Sequence, residues 1–254
     1  MHEIRDIEGR ITENKRVLPG YYRLGVKLSR PMGPVVPGQF VMLQVPSDDV
    51  FLRRPFSIYM VQRNVLTLLY RVTGTGTSML ARAGAETSLK VLGPLGRGFS
   101  VERGAKPILV AGGIGIAGIH ALWKKLGGRV PLFFGCSSKK ETPLLGDMDR
   151  KKVNIASIDG SVGFHGTVIE LLARHLPDFG EAVQVFACGP EGMFRSLKDL
   201  LEPGRPACQV AVEERMACGL GLCFGCVKKT TDEEDPYKRV CLEGPVFDLW
   251  QISL

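Results

Sequence analysis

Two changes in the pattern of apolar and polar positions divide the chain of 254 residues into three regions. In residues 1–101, short segments alternate apolar and polar side chains, most clearly over residues 21–28, 40–45 and 65–72. Turns are predicted between such segments at Pro37–Gly38, Asp48–Asp49 and Gly74–Gly76. Short, evenly spaced strands that are separated by turn residues are typical of an antiparallel β-barrel.

Residues 102–206 follow a different pattern, in which continuous apolar runs alternate with segments of helical periodicity. Residues 107–111 form an unbroken apolar run, as expected of a buried parallel strand. Further strands are predicted at 130–134, 153–158 and 182–187, and helices at 119–126, 168–174 and 191–200. Strands that alternate with helices in this way predict a doubly wound α/β domain.

Residues 207–254 are distinguished by four of the seven cysteines, which are Cys218, Cys223, Cys226 and Cys241. Their spacing is C-x4-C-x2-C with a fourth cysteine later, as in plant-type [2Fe–2S] proteins. Gly219, Gly221 and Gly225 lie between the first three cysteines and can adopt positive φ, so the loop can curl and aim backbone N–H groups at the sulfurs. These four thiols are therefore the predicted ligands of a cluster in a small C-terminal domain.

Three other uses of the cysteines remain open. A structural zinc site usually has two C-x2-4-C pairs, and only one C-x2-C pair is present here. Another type of iron–sulfur cluster is also compatible with four thiolates. Disulfide bonds are disfavoured because nothing else in the chain suggests secretion. The predicted fold is thus α+β and multidomain, with a barrel at 1–101, an α/β domain at 102–206 and an iron–sulfur domain at 207–254.

Composition and charge narrow the class of protein further. The net charge is +7, but the basic residues are scattered and no stripe of aromatic residues accompanies them, which disfavours nucleic-acid binding. Binding of anionic cofactors explains the charge better. The N-terminus is charged, and no stretch approaches the roughly 18 apolar residues of a membrane-spanning helix. A cytoplasmic protein without membrane segments is expected.

The barrel region contains a candidate site for a pyrophosphate. Residues 53–57 place two arginines and a serine at the start of a predicted strand, and residues 74–78 form a Gly/Thr/Ser turn before a short helix. Arginine binds phosphate through its bidentate fork, and a helix start offers free N–H groups to the same anion. Tyr70 lies between these segments and could rest against a flat ring system. Each feature alone is a weak signal, and an ordinary solvated turn is the alternative.

The α/β region contains a candidate site for a dinucleotide. Gly113, Gly115 and Gly118 fit the G-x-G-x-x-G fingerprint between a predicted strand and helix. The acidic residue expected about twenty positions later for the ribose hydroxyls is missing. A second anchor is predicted at residues 188–190, at the carboxyl end of a later strand. Lys139 and Lys140 could meet a 2′-phosphate, although exposed lysines are more often only solvated.

These features occur in the order found in a known superfamily. A barrel with Arg54–Ser57, a nucleotide domain with Gly112–Gly115 and Cys188–Pro190, and a cysteine loop resemble the ferredoxin–NADP reductase superfamily. Residues 214–226 and 240–247 resemble the family of electron-transfer subunits of dihydroorotate dehydrogenase B, and this resemblance covers essentially the whole chain. Two positions depart from the family pattern, namely Ile158, where a second Asp is common, and Gly118, where a Pro is common.

The resemblance implies three cofactor sites. It assigns FAD to Arg54, Pro55, Phe56, Ser57, Leu69, Tyr70, Arg71, Gly76 and Thr77. It assigns NAD to Gly113, Gly115, Asp159, Gly189 and Pro190. It assigns the [2Fe–2S] cluster to Cys218, Cys223, Cys226 and Cys241. Cys188 at the end of a predicted strand is expected near the junction of nicotinamide and flavin, with a positioning role rather than a nucleophilic one, and the alternative is an ordinary buried cysteine at a strand end.

The function implied is an oxidoreductase that passes electrons from NADH through FAD and the cluster to an FMN-containing catalytic subunit. In the resembled family the two subunits form a two-plus-two heterotetramer that oxidises dihydroorotate to orotate for pyrimidine (UMP) synthesis. This cofactor order makes chemical sense, because a flavin can divide the electron pair of a nicotinamide for a cluster that takes single electrons. The interface with the catalytic subunit is predicted at apolar residues of the cluster loop and tail, which are Leu220, Leu222, Phe224, Val246, Phe247, Leu249 and Trp250. The alternative is that these residues close the core of the small domain itself, as some of them are expected to do.

Two other functions remain open from the sequence. The same reductase could serve another acceptor, as a subunit of a sulfide dehydrogenase, a hydrogenase or a ferredoxin-dependent transhydrogenase. The chain could also be a zinc-binding module without redox activity, since a shared fold does not by itself fix a function.

Overall fold

The computed structural model describes residues 3–46, 49–180 and 182–254. Asp48 of the predicted turn at Asp48–Asp49 and the first two residues of the charged N-terminus lie outside these ranges. The described residues form two large sheets and a small hairpin. Among them, no helix combines the length and the apolar character that a bilayer crossing requires.

The N-terminal sheet is antiparallel throughout and has the strand order β4-β3-β7-β1-β2-β6-β5. Its strands are β1 (Arg5–Leu18), β2 (Tyr21–Leu28), β3 (Phe40–Leu43), β4 (Arg54–Ser57), β5 (Met60–Gln62), β6 (Val65–Arg71) and β7 (Ser88–Leu95). Helix α1 (Thr75–Arg82) connects β6 to β7. The sheet curls so that β4 approaches β6 and encloses a core of aliphatic side chains. The predicted antiparallel barrel architecture is confirmed.

The second sheet is parallel except at one edge and has the strand order β11-β10-β9-β8-β12-β13-β16. Its strands are β8 (Lys106–Gly112), β9 (Leu132–Cys136), β10 (Val153–Ser157), β11 (Phe164–His165), β12 (Val183–Cys188), β13 (Ala207–Ala211) and β16 (Val246–Asp248). The helices are α2 (Ile116–Lys125), α3 (Val168–His175) and α4 (Glu191–Leu201). The order reverses beside β8, and the crevice at such a point is where open α/β sheets bind ligands.

The C-terminal region is connected to this second sheet by strands on both sides of the cysteines. Strand β13 precedes the cysteine loop and pairs with β12, whereas β16 follows the loop and pairs antiparallel with β13. Between them lies a small hairpin of β14 (Val227–Lys229) and β15 (Tyr237–Arg239). The cysteine loop is therefore held at the edge of the nucleotide sheet.

Candidate functional site

The cysteine loop presents backbone N–H groups to all four predicted ligand sulfurs. The N–H···S distances are 3.3 Å from Leu220 to Cys218, 3.5 Å from Gly225 to Cys223, 3.4 Å from Cys241 to Cys226 and 3.2 Å from Gly221 to Cys241. Hydrogen bonds of this kind stabilise the negative charge of thiolates and of the cluster that they bind. The loop is thus preorganised for anionic sulfur.

Glycine is required at the turns that produce this arrangement. Gly219 and Gly221 have φ values of 71° and 76°, in the left-handed region that L side chains rarely adopt. A Cβ atom at Gly219 would also lie 2.7 Å from the side chain of Met42 in β3. The cysteine loop therefore packs directly against the barrel, which brings the thiols close to the predicted flavin domain.

The four thiols lie close to one another on the loop. Cys218 interacts with Cys223, and Cys241 interacts with both Cys226 and Cys218. Within the residues that the structure describes, no three His, Cys, Asp or Glu side chains converge on a point where a single ion could bind. Four cysteine thiols, each with a backbone N–H donor at its sulfur, are the ligand set that a [2Fe–2S] cluster uses. The residues present fit a [2Fe–2S] cluster.

The four thiols differ in their environment. Burial opposes ionisation of Cys218, but hydrogen bonds from the backbone of Leu220, Cys223 and Leu222 outweigh it and lower the pKa of Cys218 to about 6. Burial together with the neighbouring Cys226 raises the pKa of Cys241 to about 12. Cys226 and Cys241 are each 2% exposed, whereas Cys223 lies at the surface. Cys226 and Cys241 therefore form an interior pair, whereas Cys223 faces solvent.

A cavity of about 370 Å³ lies between the barrel and the α/β domain and collects the predicted flavin residues. All nine except Gly76 line it, namely Arg54, Pro55, Phe56, Ser57, Leu69, Tyr70, Arg71 and Thr77. Gly76 packs against the side chain of Arg54, since a Cβ atom at Gly76 would lie 2.9 Å from Nε of Arg54. Met216 and Pro245 also line the cavity and connect it to the cysteine loop.

The two adjacent arginines of the barrel have different partners. Arg53 donates two hydrogen bonds to the carboxylate of Asp6, at 2.8 and 2.7 Å, and this pairing lowers the pKa of Asp6. Arg54 donates to the carbonyl of Leu52 at 2.7 Å and lies in the wall of the cavity. Arg54 therefore remains as the phosphate-binding candidate, and Arg53 anchors the start of β4 to β1.

Helix α1 directs its first turn toward the same cavity. Oγ1 of Thr77 accepts hydrogen bonds from the backbone N–H groups of Thr73 and Gly74, at 2.9 and 3.2 Å. This fixes the turn that precedes the helix, while the N–H groups of the first helical turn have no partner within the helix. Free N–H groups beside an arginine are a combination that suits an anion such as a pyrophosphate. Tyr70 serves as part of the wall, since its ring stacks on Tyr22 and its hydroxyl donates to Asn14.

A second cavity of about 540 Å³ lies at the carboxyl ends of β8, β9 and β12. Among its lining residues are four of the five predicted nucleotide residues, which are Gly113, Gly115, Gly189 and Pro190. Asp159 is not in the wall, but its neighbour Ile158 is. The carboxylate of Asp159 accepts hydrogen bonds from the hydroxyl and the backbone N–H of Ser161, and these bonds lower its pKa. Asp159 thus shapes the turn beside the cavity.

The glycine fingerprint allows helix α2 to pack closely against β12. A Cβ atom at Gly115 would lie 2.1 Å from the carbonyl oxygen of Cys188, and one at Gly118 would lie 2.9 Å from its sulfur. Burial raises the pKa of Cys188 to about 12, so that its thiol stays protonated. A buried, protonated thiol is a poor nucleophile, so this environment favours a positioning role for Cys188 over a nucleophilic one.

Two carboxylates in these cavities were not singled out from the sequence. Glu213 lines both cavities, and its carboxylate is open to them. The protein around it still limits its contact with water, and this desolvation raises the pKa of Glu213. Glu141 lines the nucleotide cavity, and its Oε2 accepts a hydrogen bond of 2.9 Å from the backbone N–H of Ser137 at the end of β9. Glu141 thereby supplies an acidic group near the place where the fingerprint lacked one.

Comparison with known proteins identifies the C-terminal region and close relatives of the whole chain. Residues 213–253 match the family model described as the iron-sulfur cluster binding domain of dihydroorotate dehydrogenase B. The electron transfer subunit of dihydroorotate dehydrogenase B (NAD(+)) from Desulforamulus reducens is 39% identical over 227 residues, which cover 85% of this chain and 86% of that protein. The subunit of the same description from Enterococcus faecalis is 38% identical over 255 residues, which cover 96% of this chain and 97% of that protein.

Solved structures support the fold. A chain of the NADH-dependent reduced ferredoxin-NADP oxidoreductase has a TM-score of 0.84 at 21% identity, over 96% of this chain and 89% of that chain. A ferredoxin NADP+ reductase from Neisseria gonorrhoeae with bound FAD and NADP has a TM-score of 0.65 at 16% identity, over 80% of this chain and 92% of that chain. At such low identity these likenesses establish the architecture and leave function to the site and the closer relatives.

Proposed function

Because this chain belongs to the family of electron transfer subunits of dihydroorotate dehydrogenase B (NAD(+)), we propose that it carries electrons from NADH through FAD and a [2Fe–2S] cluster to a separate catalytic subunit. The observation that carries this proposal is the order of the three sites. The nucleotide and flavin cavities share Arg71, Ile114 and Glu213 in their walls. The flavin cavity is also lined by Met216, which precedes the cluster ligand Cys218 by two residues.

The chain's residues bind and orient the cofactors, and bound FAD supplies the chemistry that couples a hydride donor to a one-electron acceptor. Arg54 and the first turn of α1 would hold the pyrophosphate of FAD. The glycines before α2 would let the dinucleotide approach the backbone, and Gly118 lets α2 lie against Cys188 within the α/β domain.

The acceptor is proposed to be an FMN-containing subunit that oxidises dihydroorotate to orotate in UMP synthesis. A two-plus-two heterotetramer in the cytoplasm fits this role, since a thiolate-bound cluster suits reducing surroundings. The curated relatives named as subunits of this enzyme match at 38–39% identity over most of the chain, which favours this acceptor over those of other reductases.

The docking surface for that subunit is proposed to be the apolar patch around the exposed thiol. Leu222 and Phe224 are 78% and 61% exposed, and Leu220 and Leu242 are also exposed nearby. The sequence-based prediction is wrong for Val246 and Leu249, which are buried in the chain's own core. Phe247 and Trp250 also pack against that core, and the indole N–H of Trp250 donates to the carbonyl of Pro206 at 3.0 Å.

Replacing Leu222 with aspartate is expected to weaken association with the catalytic subunit by about tenfold or more, because a charge replaces a central apolar contact. Titration calorimetry with the purified catalytic subunit measures the change. Val101→Ser is the matched control, since Val101 is 42% exposed outside the cysteine loop. Trp250→Ala is expected to lower the free energy of unfolding by about 2 kcal/mol instead. Unchanged affinity for the Leu222→Asp protein would refute the proposed surface.

A visible spectrum of the anaerobically purified chain, taken before and after one equivalent of NADH, tests the proposed electron path. Flavin and cluster bands that both bleach are expected, together with one FAD and two irons per chain. Co-purification with an FMN protein identifies the acceptor. A colourless protein that holds zinc would refute the redox function, and a different co-purifying acceptor would refute the dihydroorotate assignment alone.

A further inference from the structure

A fully buried histidine joins the barrel to the nucleotide domain close to both cofactor cavities. His120 lies in α2 and is 0% exposed. Its Nδ1 is 3.1 Å from the backbone carbonyl oxygen of Tyr59, and its Nε2 is 2.9 Å from Oδ1 of Asp147. Its ring is also stacked on the ring of Tyr59, with centroids 3.7 Å apart and an angle of 12° between the planes.

These contacts hold His120 between the barrel and its own domain. The stack on Tyr59 and the contact with the Tyr59 carbonyl join the ring to the barrel, whereas Asp147 of the α/β domain holds the opposite edge of the ring. Packing alone allows neighbouring surfaces to slide, but directional bonds at opposite edges of one ring do not. The contact is therefore more restrictive than an apolar contact of the same size.

The contact also lies at a mechanically important place. Tyr59 follows Ser57 of β4 by two residues, and Ser57 lines the flavin cavity. On the other side, α2 begins directly after Gly113–Gly115 of the nucleotide cavity. The hydroxyl of Ser57 lies 3.7 Å from the Cβ position at Gly118, so the same helix meets the flavin segment at a second point.

We propose that His120 is a positioning residue for hydride transfer, because it ties the flavin-binding segment of the barrel to the helix that begins at the nucleotide loop. This inference rests on the proposed function of the two cavities. By holding Tyr59 against α2, His120 sets the separation between the flavin and nicotinamide sites. Transfer rates are steep in such geometry, and a displacement of about 1 Å can cost about 100-fold.

The protonation of His120 is linked to this contact. Both partners are hydrogen-bond acceptors, so both bonds form together only when the ring is an imidazolium. Burial lowers the pKa of His120, while the bonds to Asp147 and Tyr59 and the charge of Asp147 oppose this. The other groups facing the contact are Lys124, which bonds Asp147 at 2.6 Å, and Arg23, which acts on the Tyr59 hydroxyl.

Four variants of the FAD-loaded chain test the proposal by stopped-flow reduction with NADH. His120→Phe keeps the stack but loses both hydrogen bonds, and its flavin reduction is expected to be about tenfold slower or more at saturating NADH. The amide nitrogen of Asn lies near the position of Nδ1, and that of Gln lies near Nε2. His120→Asn is therefore expected to retain more of the rate than His120→Gln, because only Asn can donate to Tyr59.

The matched control is His175→Phe, since His175 bonds the Leu171 carbonyl within its own helix and contacts Phe133 away from the barrel. Its rate is expected to equal that of the wild type. The wild-type rate is also expected to fall as the pH rises through the lowered pKa of His120, and this inflection should be missing in His120→Phe.

The possible outcomes distinguish a failure of the proposed function from a failure of the proposed role of His120. If the wild-type chain does not pass electrons from NADH to FAD, the proposed function is refuted. If the wild type does so but His120→Phe is equally fast, only the inference about His120 is refuted. It is also refuted if the rates follow the melting temperatures or FAD contents of the variants, or if Gln retains as much activity as Asn.

Discussion

Replacing Cys226 with serine is expected to stop electron flow beyond the flavin, with a loss of more than about 100-fold in transfer to the catalytic subunit. Cys226 is 2% exposed and belongs to the interior pair of thiols. Its sulfur accepts a hydrogen bond from the backbone N–H of Cys241, a donor that would stabilise a sulfur bound to iron. A serine oxygen is a shorter and harder ligand that iron in a sulfur cluster binds poorly.

Two measurements on the Cys226→Ser protein separate cluster loss from general damage. The iron content is expected to fall below one atom per chain, whereas NADH is expected to bleach FAD at the wild-type rate. Cys208→Ala is the matched control, because Cys208 is also buried but lies in β13 away from the ligand set. Full iron content and normal transfer in the Cys226→Ser protein would show that Cys226 is not a ligand.

Replacing Gly115 with alanine is expected to slow NADH-dependent flavin reduction by about 100-fold while FAD remains bound. The new Cβ atom would lie 2.1 Å from the carbonyl oxygen of Cys188, a backbone atom that cannot move aside alone. Helix α2 has to retreat from β12, and with it the nucleotide loop and the contact with the flavin segment. The flavin site itself is formed mainly by the barrel and keeps its anchors.

Stopped-flow absorbance of the flavin measures this effect, and flavin content confirms that FAD is retained. Gly204→Ala is the matched control, because Gly204 has open space around its Cβ position and no positive φ. Normal reduction by NADH in the Gly115→Ala protein would contradict the close packing on which the nucleotide site depends.

The sequence predicts those elements best whose burial pattern is strong. The segment 21–28 alternates clearly and becomes β2 (Tyr21–Leu28), and the helix predicted at 191–200 becomes α4 (Glu191–Leu201). Strand β1 (Arg5–Leu18) is the longest strand and was not singled out. Its outward positions are mostly charged, and its buried positions include Gly9 with Ile7 and Ile11, so the apolar signal is sparse.

Site residues are predictable from the sequence when they lie close together along the chain, and they are missed when only the fold brings them together. The cluster ligands are predictable because their spacing along the loop is itself the chemical signature. Glu213 and Glu141 gain their places only when strand ends from different parts of the chain meet at one edge of the sheet. Composition alone also cannot tell an interface from a core, and Val246, one of the residues predicted at the interface, is a buried residue of β16.

The pairing of β13 with β16 fixes the position of the cysteine loop relative to the rest of the chain. The thiols lie on an excursion between two adjacent strands of one sheet, and the loop also rests on Met42 of the barrel. A cluster in this loop would keep a fixed distance from the flavin site, unlike a cofactor on a flexible linker that moves between donor and acceptor. An acceptor would therefore have to bind over the exposed part of the cysteine loop to receive electrons from a cluster at this position.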